Sequence, residues 1–263
     1  MRRFSIISMD GIGIAVRSVI SRVNDVTAKR SNELPSILPR LVAVSKLKPS
    51  ECILEAYQHG QRNFGENYVQ ELIEKSNEPK LLELKDIKWH FIGHLQSNKC
   101  NNLAGVPNLF MVETVDSVKL ANTLNSSWGK QNKPDPLNVM VQVNTSQEEN
   151  KGGCSRNQCV ELVKHINSNC PNLKFKGLMT IGEINYDWSQ GDNPDFVTLV
   201  QCRKDVCERL NLKVEDVELS MGMSSDFENA ILMGSTNVRV GSTIFGARQP
   251  KRPTDEKKSQ QST

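Results

Sequence analysis

The sequence has no Cys-x-x-Cys pair, no long apolar run and almost no excess of either charge. Each absence excludes something. Its seven cysteines (Cys52, Cys100, Cys154, Cys159, Cys170, Cys202 and Cys207) are scattered and odd in number, which fits a reducing compartment better than a disulfide framework. Cys154, Cys159 and His165 lie close in sequence, but their spacing matches no zinc pattern, so no metal is expected. Nothing approaches the roughly 18 apolar residues of a membrane span. The opening MRRFSIISMDGIGIAV resembles a signal sequence only until Asp10 interrupts it. Its two arginines and few serines leave a mitochondrial presequence open, with the cytosol as the default expectation. The net charge of +3 is inflated by the segment from Arg248 to Lys258. With no basic face and no aromatic-interleaved basic run, nucleic acid is not an expected partner.

What is present is a repeating alternation. The 263 residues match the length of one (β/α)₈ barrel, which takes about 250. Apolar, β-branched runs read as strands at 41–46, 63–66, 88–93, 109–114, 138–144, 175–181, 216–221 and 238–242. Between them lie segments with apolar residues at helical spacing, such as SECILEAYQHG and CVELVKHINSN. Short strands apolar on both faces belong to a sheet covered by helices. Eight such units predict a closed α/β TIM barrel in a single domain, residues 1–248, with an extra N-terminal helix at about 14–29. An open doubly wound sheet is the runner-up, but no Gly-x-Gly-x-x-Gly follows the first strand. Segments 145–156 and 183–195 read as long loops, and 249–263 as a disordered tail.

In barrels of this kind chemistry gathers where strands end. The first strand ends on Ser45-Lys46, the second on Gly65-Glu66-Asn67, the seventh on SMGMSSDF and the eighth on RVGSTIFG. A lysine is costly at the mouth of an apolar barrel, so Lys46 asks for a reason. The glycines, serines and threonines after the last two strands supply one, because they suit an anion such as a phosphate. A strand-end amine facing a phosphate site suggests a Schiff base with a phosphorylated aldehyde, pyridoxal 5′-phosphate (PLP) being the obvious one. Arg239, two residues before Gly241, reads as a donor to the pyridine nitrogen; a guanidinium cannot accept a proton from it. The bland alternatives are a snorkelling lysine, glycine-capped turns and an outward ion pair. His90 and His94 read more readily as structural than as catalytic.

LVAVSKLKP, FGENYVQEL, WHFIGHLQSNK, GLMTIG, LSMGMSSDFENAI and GSTNVRVGSTIFG, in this order from Leu41 to Gly246, resemble the pyridoxal phosphate homeostasis proteins, single-domain relatives of the N-terminal barrel of alanine racemases. The resemblance implies PLP held by Lys46, with Asn67 beside it, Arg239 at the ring nitrogen, phosphate contacts from Ser224, Gly241 and Ser242, and Met223 lining the pocket. It implies a monomeric carrier that keeps the intracellular vitamin B6 pool and supplies PLP to apo-enzymes, without established turnover. A PLP-dependent, racemase-like enzyme is the alternative. Racemisation needs a base on each face of the substrate, and the racemases' second base is a tyrosine from a further domain that this chain is expected to lack. Of Tyr57, Tyr68 and Tyr186, only Tyr68 is placed near enough to wall the pocket.

Overall fold

The computed structural model describes residues 9–247, apart from 147, 149–151, 184 and 185. Eight parallel strands run β1 (Arg40–Val44), β2 (Asn63–Glu66), β3 (Lys88–Phe91), β4 (Leu109–Val115), β5 (Leu137–Gln142), β6 (Leu173–Met179), β7 (Glu218–Ser220) and β8 (Asn237–Val240). They pair in chain order and close into a barrel. The seam joins β8 to β1, with Arg40 beside Asn237 and Ala43 beside Val240. After Arg40, β1 is apolar because the parallel sheet is covered by helices; Val42 and Ala43 are fully buried. Six of the strands stop earlier than the sequence pattern implies, whereas β2 ends where expected and β4 one residue later. Ser45 and Lys46 fall just beyond β1, so Lys46 belongs to the βα-loop and its main chain can turn.

The helices are α1 (Met9–Thr27), α2 (Ser50–Gln58), α3 (Val69–Ser76), α4 (Pro79–Leu82), α5 (Cys100–Ala104), α6 (Val118–Gly129), α7 (Arg156–Asn169), α8 (Pro194–Leu210), α9 (Phe227–Leu232) and α10 (Ser242–Phe245). Local chemistry sets several ends. Ser155 and Gln158 form a reciprocal capping box on α7. Pro194 opens α8 behind the Asn193 cap, and Asn211 closes it in the left-handed conformation. The helix after β8 is a single turn, too short to cover its strand. The N-terminal helix takes that place: α1 packs against α2, α9 and α10, burying Ile12, Val16, Val19 and Val23 on one stripe. Arg22 pins it to α9, pairing with Glu228 at 2.7 Å and lying 4.6 Å over the Phe227 ring. The extra helix of the sequence is therefore the eighth outer helix, and it starts earlier than expected, at Met9.

The main core lies between barrel and helices, with Trp89, Phe64, Phe91, Phe196 and Phe227 among its largest members. A separate cluster of Met111, Met140 and Met179 is packed against Phe110. Among the described residues, no helix is long and apolar enough to cross a membrane and no group of His, Cys, Asp or Glu is arranged to hold a metal. All seven cysteines are free. The expected tail, 249–263, lies outside the described residues.

Candidate functional site

The strand ends frame a cavity of about 650 Å³, within the range of small-molecule sites. All seven residues singled out in the sequence, Lys46, Asn67, Met223, Ser224, Arg239, Gly241 and Ser242, line it. Val44, Ile92, Met179 and Ile181 supply apolar wall. Lys48 also reaches the cavity, where its Nζ donates to the main-chain carbonyl of Ala247 at 3.1 Å; burial lowers its pKa.

The main chain of Lys46 is gripped on both sides. The preceding peptide carbonyl, that of Ser45, accepts from Lys75 Nζ at 2.8 Å. The following peptide N–H, that of Leu47, donates to Glu71 Oε1 at 2.6 Å. Lys75 also binds Glu66 Oε1 at 2.7 Å and Glu71 Oε1 at 2.6 Å, and the Ser45 hydroxyl donates to the same Glu66 oxygen at 2.6 Å. One buried ion triad, drawn from β2 and α3, thus holds both peptide bonds of the candidate nucleophile. Leu47 takes a left-handed φ of 59°, a conformation that costs a non-glycine residue about 1 kcal/mol or more and survives where surrounding contacts dictate it. Burial pushes the Glu66 carboxyl above its ordinary pKa, while the Lys75 charge pulls it back.

Arg239 is buried at the floor of the cavity. Its Nη1 donates to Ser220 Oγ at 2.6 Å and its Nη2 to the Thr180 carbonyl at 2.8 Å. Behind it stands Glu113, which accepts from Ser220 Oγ at 2.6 Å, from Asn237 Nδ2 at 3.1 Å and from His90 Nδ1 at 2.7 Å. Burial works against the Glu113 charge, but the His90 hydrogen bond, the Arg239 cation and the Ser220 hydroxyl hold its carboxyl down at about 2. Burial likewise lowers the His90 pKa, against the pull of Glu113, and the other ring nitrogen, Nε2, meets Asn63 Oδ1 at 3.1 Å. His90 is a fully buried support and does not line the cavity.

The loops after β7 and β8 meet over Ser224. Its hydroxyl accepts from the N–H of Gly241 at 3.1 Å and of Thr243 at 3.5 Å, so two main-chain donors converge on this one side-chain oxygen. Asp226 Oδ1 accepts from the Met223 N–H at 2.6 Å, tying the loop to the start of α9. Gly222 has φ +95°, and a Cβ there would lie 2.5 Å from the Ala230 Cβ; only glycine lets the loop turn this close to α9. On the opposite wall a Cβ at Gly93 would stand 1.9 Å from the Asn67 carbonyl oxygen. That close approach seats Asn67, whose side-chain Oδ1 is buried with no hydrogen-bond partner.

Tyr68 departs from expectation. It caps α3 in an extended conformation, is 52% exposed and is not among the cavity-lining residues. Tyr57 instead hydrogen-bonds Asp86, and Tyr186 donates to the Asp192 carbonyl at 3.3 Å. His94 is exposed, His59 caps the C-terminus of α2 half-buried, and His165 sits on α7; none of them lines the cavity. Sequence reasoning missed Lys75, Glu71, Glu113 and Ser220. Of these, Ser220 and Glu113 sat in strand ends already noted; Lys75 and Glu71 gave no signal beyond helical polarity.

The family model described as alanine racemase, N-terminal domain, matches residues 30–249. The chain is 58% identical over 249 residues to the pyridoxal phosphate homeostasis protein of Homo sapiens, covering 94% of this chain and 90% of the relative. It is 47% identical over 215 residues to the protein of that name from Schizosaccharomyces pombe, covering 82% and 86%. Among solved structures, PipY of Synechococcus elongatus PCC7942 with PLP bound superposes with a TM-score of 0.70 at 30% identity, covering 87% of this chain and all of that one. The alanine racemase of Corynebacterium glutamicum, at 12% identity and a TM-score of 0.62 over 93% of this chain and 62% of its own, shares the fold. The chain belongs to the pyridoxal phosphate homeostasis proteins, within the alanine racemase N-terminal domain family.

Proposed function

We propose that this protein binds PLP as a Schiff base on Lys46 and passes it to apo-enzymes, acting in vitamin B6 homeostasis as a monomeric cytosolic carrier. The observation that carries this reading is the convergence of Lys46, Arg239, Asn67 and the Ser224–Gly241–Ser242 loops on one cavity. The residues fit the cofactor. An amine, a buried guanidinium, a focus of main-chain donors and an orphaned amide oxygen match an aldehyde, a ring nitrogen, a phosphate and a ring hydroxyl.

When bound, the cofactor supplies an aldehyde that condenses with a primary amine. Lys46 brings that amine on a main chain that cannot drift, because the Lys75 triad fixes both its peptide bonds. Arg239 carries only donors, so it orients the ring nitrogen without giving it a carboxylate partner. Ser224, Gly241 and Ser242 would hold the anionic end, at the place where the N–H groups of Gly241 and Thr243 gather around the Ser224 hydroxyl. Met223 and Ile92 line the same cavity and would give the ring apolar wall.

A racemase-like activity would need a second base opposite Lys46. Among the described residues the cavity lining contains no tyrosine or histidine, and the second lysine there, Lys48, is tied to Ala247. Storage and release suit this set of residues better than turnover. The test is optical. Protein loaded with PLP should show a visible imine band that Lys46→Ala removes, and should activate a PLP-requiring apo-enzyme. Solvent deuterium should not enter the α-position of a single-enantiomer amino acid. Sustained α-deuteration would replace the carrier reading with the enzymatic one. Gel filtration at the mass of two chains would overturn the monomer.

A further inference from the structure

At the end of the barrel opposite the cavity, a buried arginine, Arg203, and a half-buried one, Arg30, have no salt-bridge partner among the described residues. Arg203, on α8, is 4% exposed, and its Nη1 is sealed from solvent with no hydrogen-bond partner. Arg30, in the connection from α1 to β1, donates from Nη1 to the Ile37 carbonyl at 3.0 Å. Its Nε and Nη2 are sealed and unpartnered too. The two cations feel each other: burial lowers the pKa of each, and the Arg30 charge lowers that of Arg203 further. Cys207 and Glu215 oppose this, but neither forms a salt bridge with Arg203 among the described residues. The turn before β8 closes the place, since Leu34 Cδ2 and Arg203 Nη2 lie 3.3 and 3.6 Å from where a Cβ would stand on Gly234.

Buried polar atoms are nearly always paired, and a buried cation is retained only when an anion or a full set of acceptors meets it. Here two neighbouring guanidiniums present three nitrogens that no acceptor meets. We propose that Arg30 and Arg203 form a binding site for a small oxyanion of the phosphate type, seated between α8, the α1–β1 connection and the Gly234 turn, and separate from the cofactor cavity. The chemistry selects this class. A guanidinium fork matches two oxygens of a tetrahedral oxyanion, and two forks balance a double charge. The consequence is mechanical: a shared anion ties the connection leading into β1, and hence the strand that delivers Lys46, to α8.

The experiment is thermal melting of the full-length, PLP-saturated protein in inorganic phosphate and, at matched ionic strength, in chloride. PLP saturation keeps added phosphate from the cradle at the other end. Binding to the folded state alone should raise the wild-type melting temperature by about 5 °C at a hundredfold excess over the dissociation constant. Arg203→Met and Arg30→Gln should lose that rise, while keeping the small general stabilisation that phosphate gives any protein. In phosphate-free buffer Arg203→Met should melt no lower than wild type, because it removes an unpaired buried charge. Arg203→Lys, which keeps the charge but not the fork, should show a reduced rise, and with Arg30→Gln it decides the matter if Arg203→Met does not fold. Equal melting in phosphate and chloride, or variants that keep the full rise, would overturn the proposal. So would a rise produced by acetate but not by phosphate.

Discussion

Replacing Glu113 by glutamine probes the barrel interior that holds Arg239. In the folded protein the Glu113 carboxylate accepts from Ser220, Asn237 and His90. Glutamine offers one oxygen in place of two and turns an NH₂ group against donors. Held at about 2 against an ordinary 4.5, Glu113 contributes about 3 kcal/mol at neutral pH. Breaking a buried charge network from one side costs a similar amount, about 3–5 kcal/mol. The direction with pH follows from the lowered value. The unfolded chain binds the proton first, so the stabilisation is complete above the unfolded pKa and is lost as pH falls towards the folded one. About 2 kcal/mol of it should be gone by about pH 3. Urea unfolding of wild type and Glu113→Gln, at pH 7 and pH 3, reads both numbers. The variant should be less stable by about 3 kcal/mol at pH 7, and the gap should narrow by about 2 kcal/mol at pH 3. The PLP affinity of the variant should fall as well, because Ser220 no longer braces Arg239. A gap below about 1 kcal/mol at pH 7, or one that does not narrow in acid, would refute the reasoning.

Three other substitutions test the site's supports. Lys75→Met leaves Glu66 and Glu71 buried without their cation and should cost about 3 kcal/mol in urea unfolding; it should also slow growth of the imine band by freeing the Lys46 main chain, and Lys75→Arg should recover part of both. Gly93→Ala forces a Cβ against the Asn67 carbonyl, so it should lower the melting temperature by several degrees and weaken PLP retention together. Gly222→Ala meets both a positive φ and the Ala230 Cβ, and should destabilise by about 1–3 kcal/mol while raising the off-rate of PLP measured by transfer to an apo-enzyme.

The barrel was legible because its evidence is local. Each strand is a short apolar run, and each ends in residues that break the pattern, so Lys46, Asn67 and Arg239 could be placed at one mouth by counting. The supports were not legible, because they exist only after closure. Glu113 and His90 come from β4 and β3, and Ser220 and Asn237 from β7 and β8; no spacing in the chain announces that they meet. Lys75 looks like any helical lysine until α3 folds back over Ser45. Tyr68 misled for the converse reason. Its position after Asn67 implied the pocket, but Tyr68 caps α3 without a side-chain hydrogen bond and is half exposed. The role of α1 also depended on a distant fact, the brevity of α10 after β8.

The most direct measurement is to load the purified protein with PLP, reduce it with borohydride, digest it and weigh the peptides. One reduced pyridoxyl phosphate adduct on the peptide containing Lys46, and no adduct in Lys46→Ala at the same occupancy, is the predicted result. An unmodified Lys46 in fully loaded, reduced wild-type protein would contradict the account.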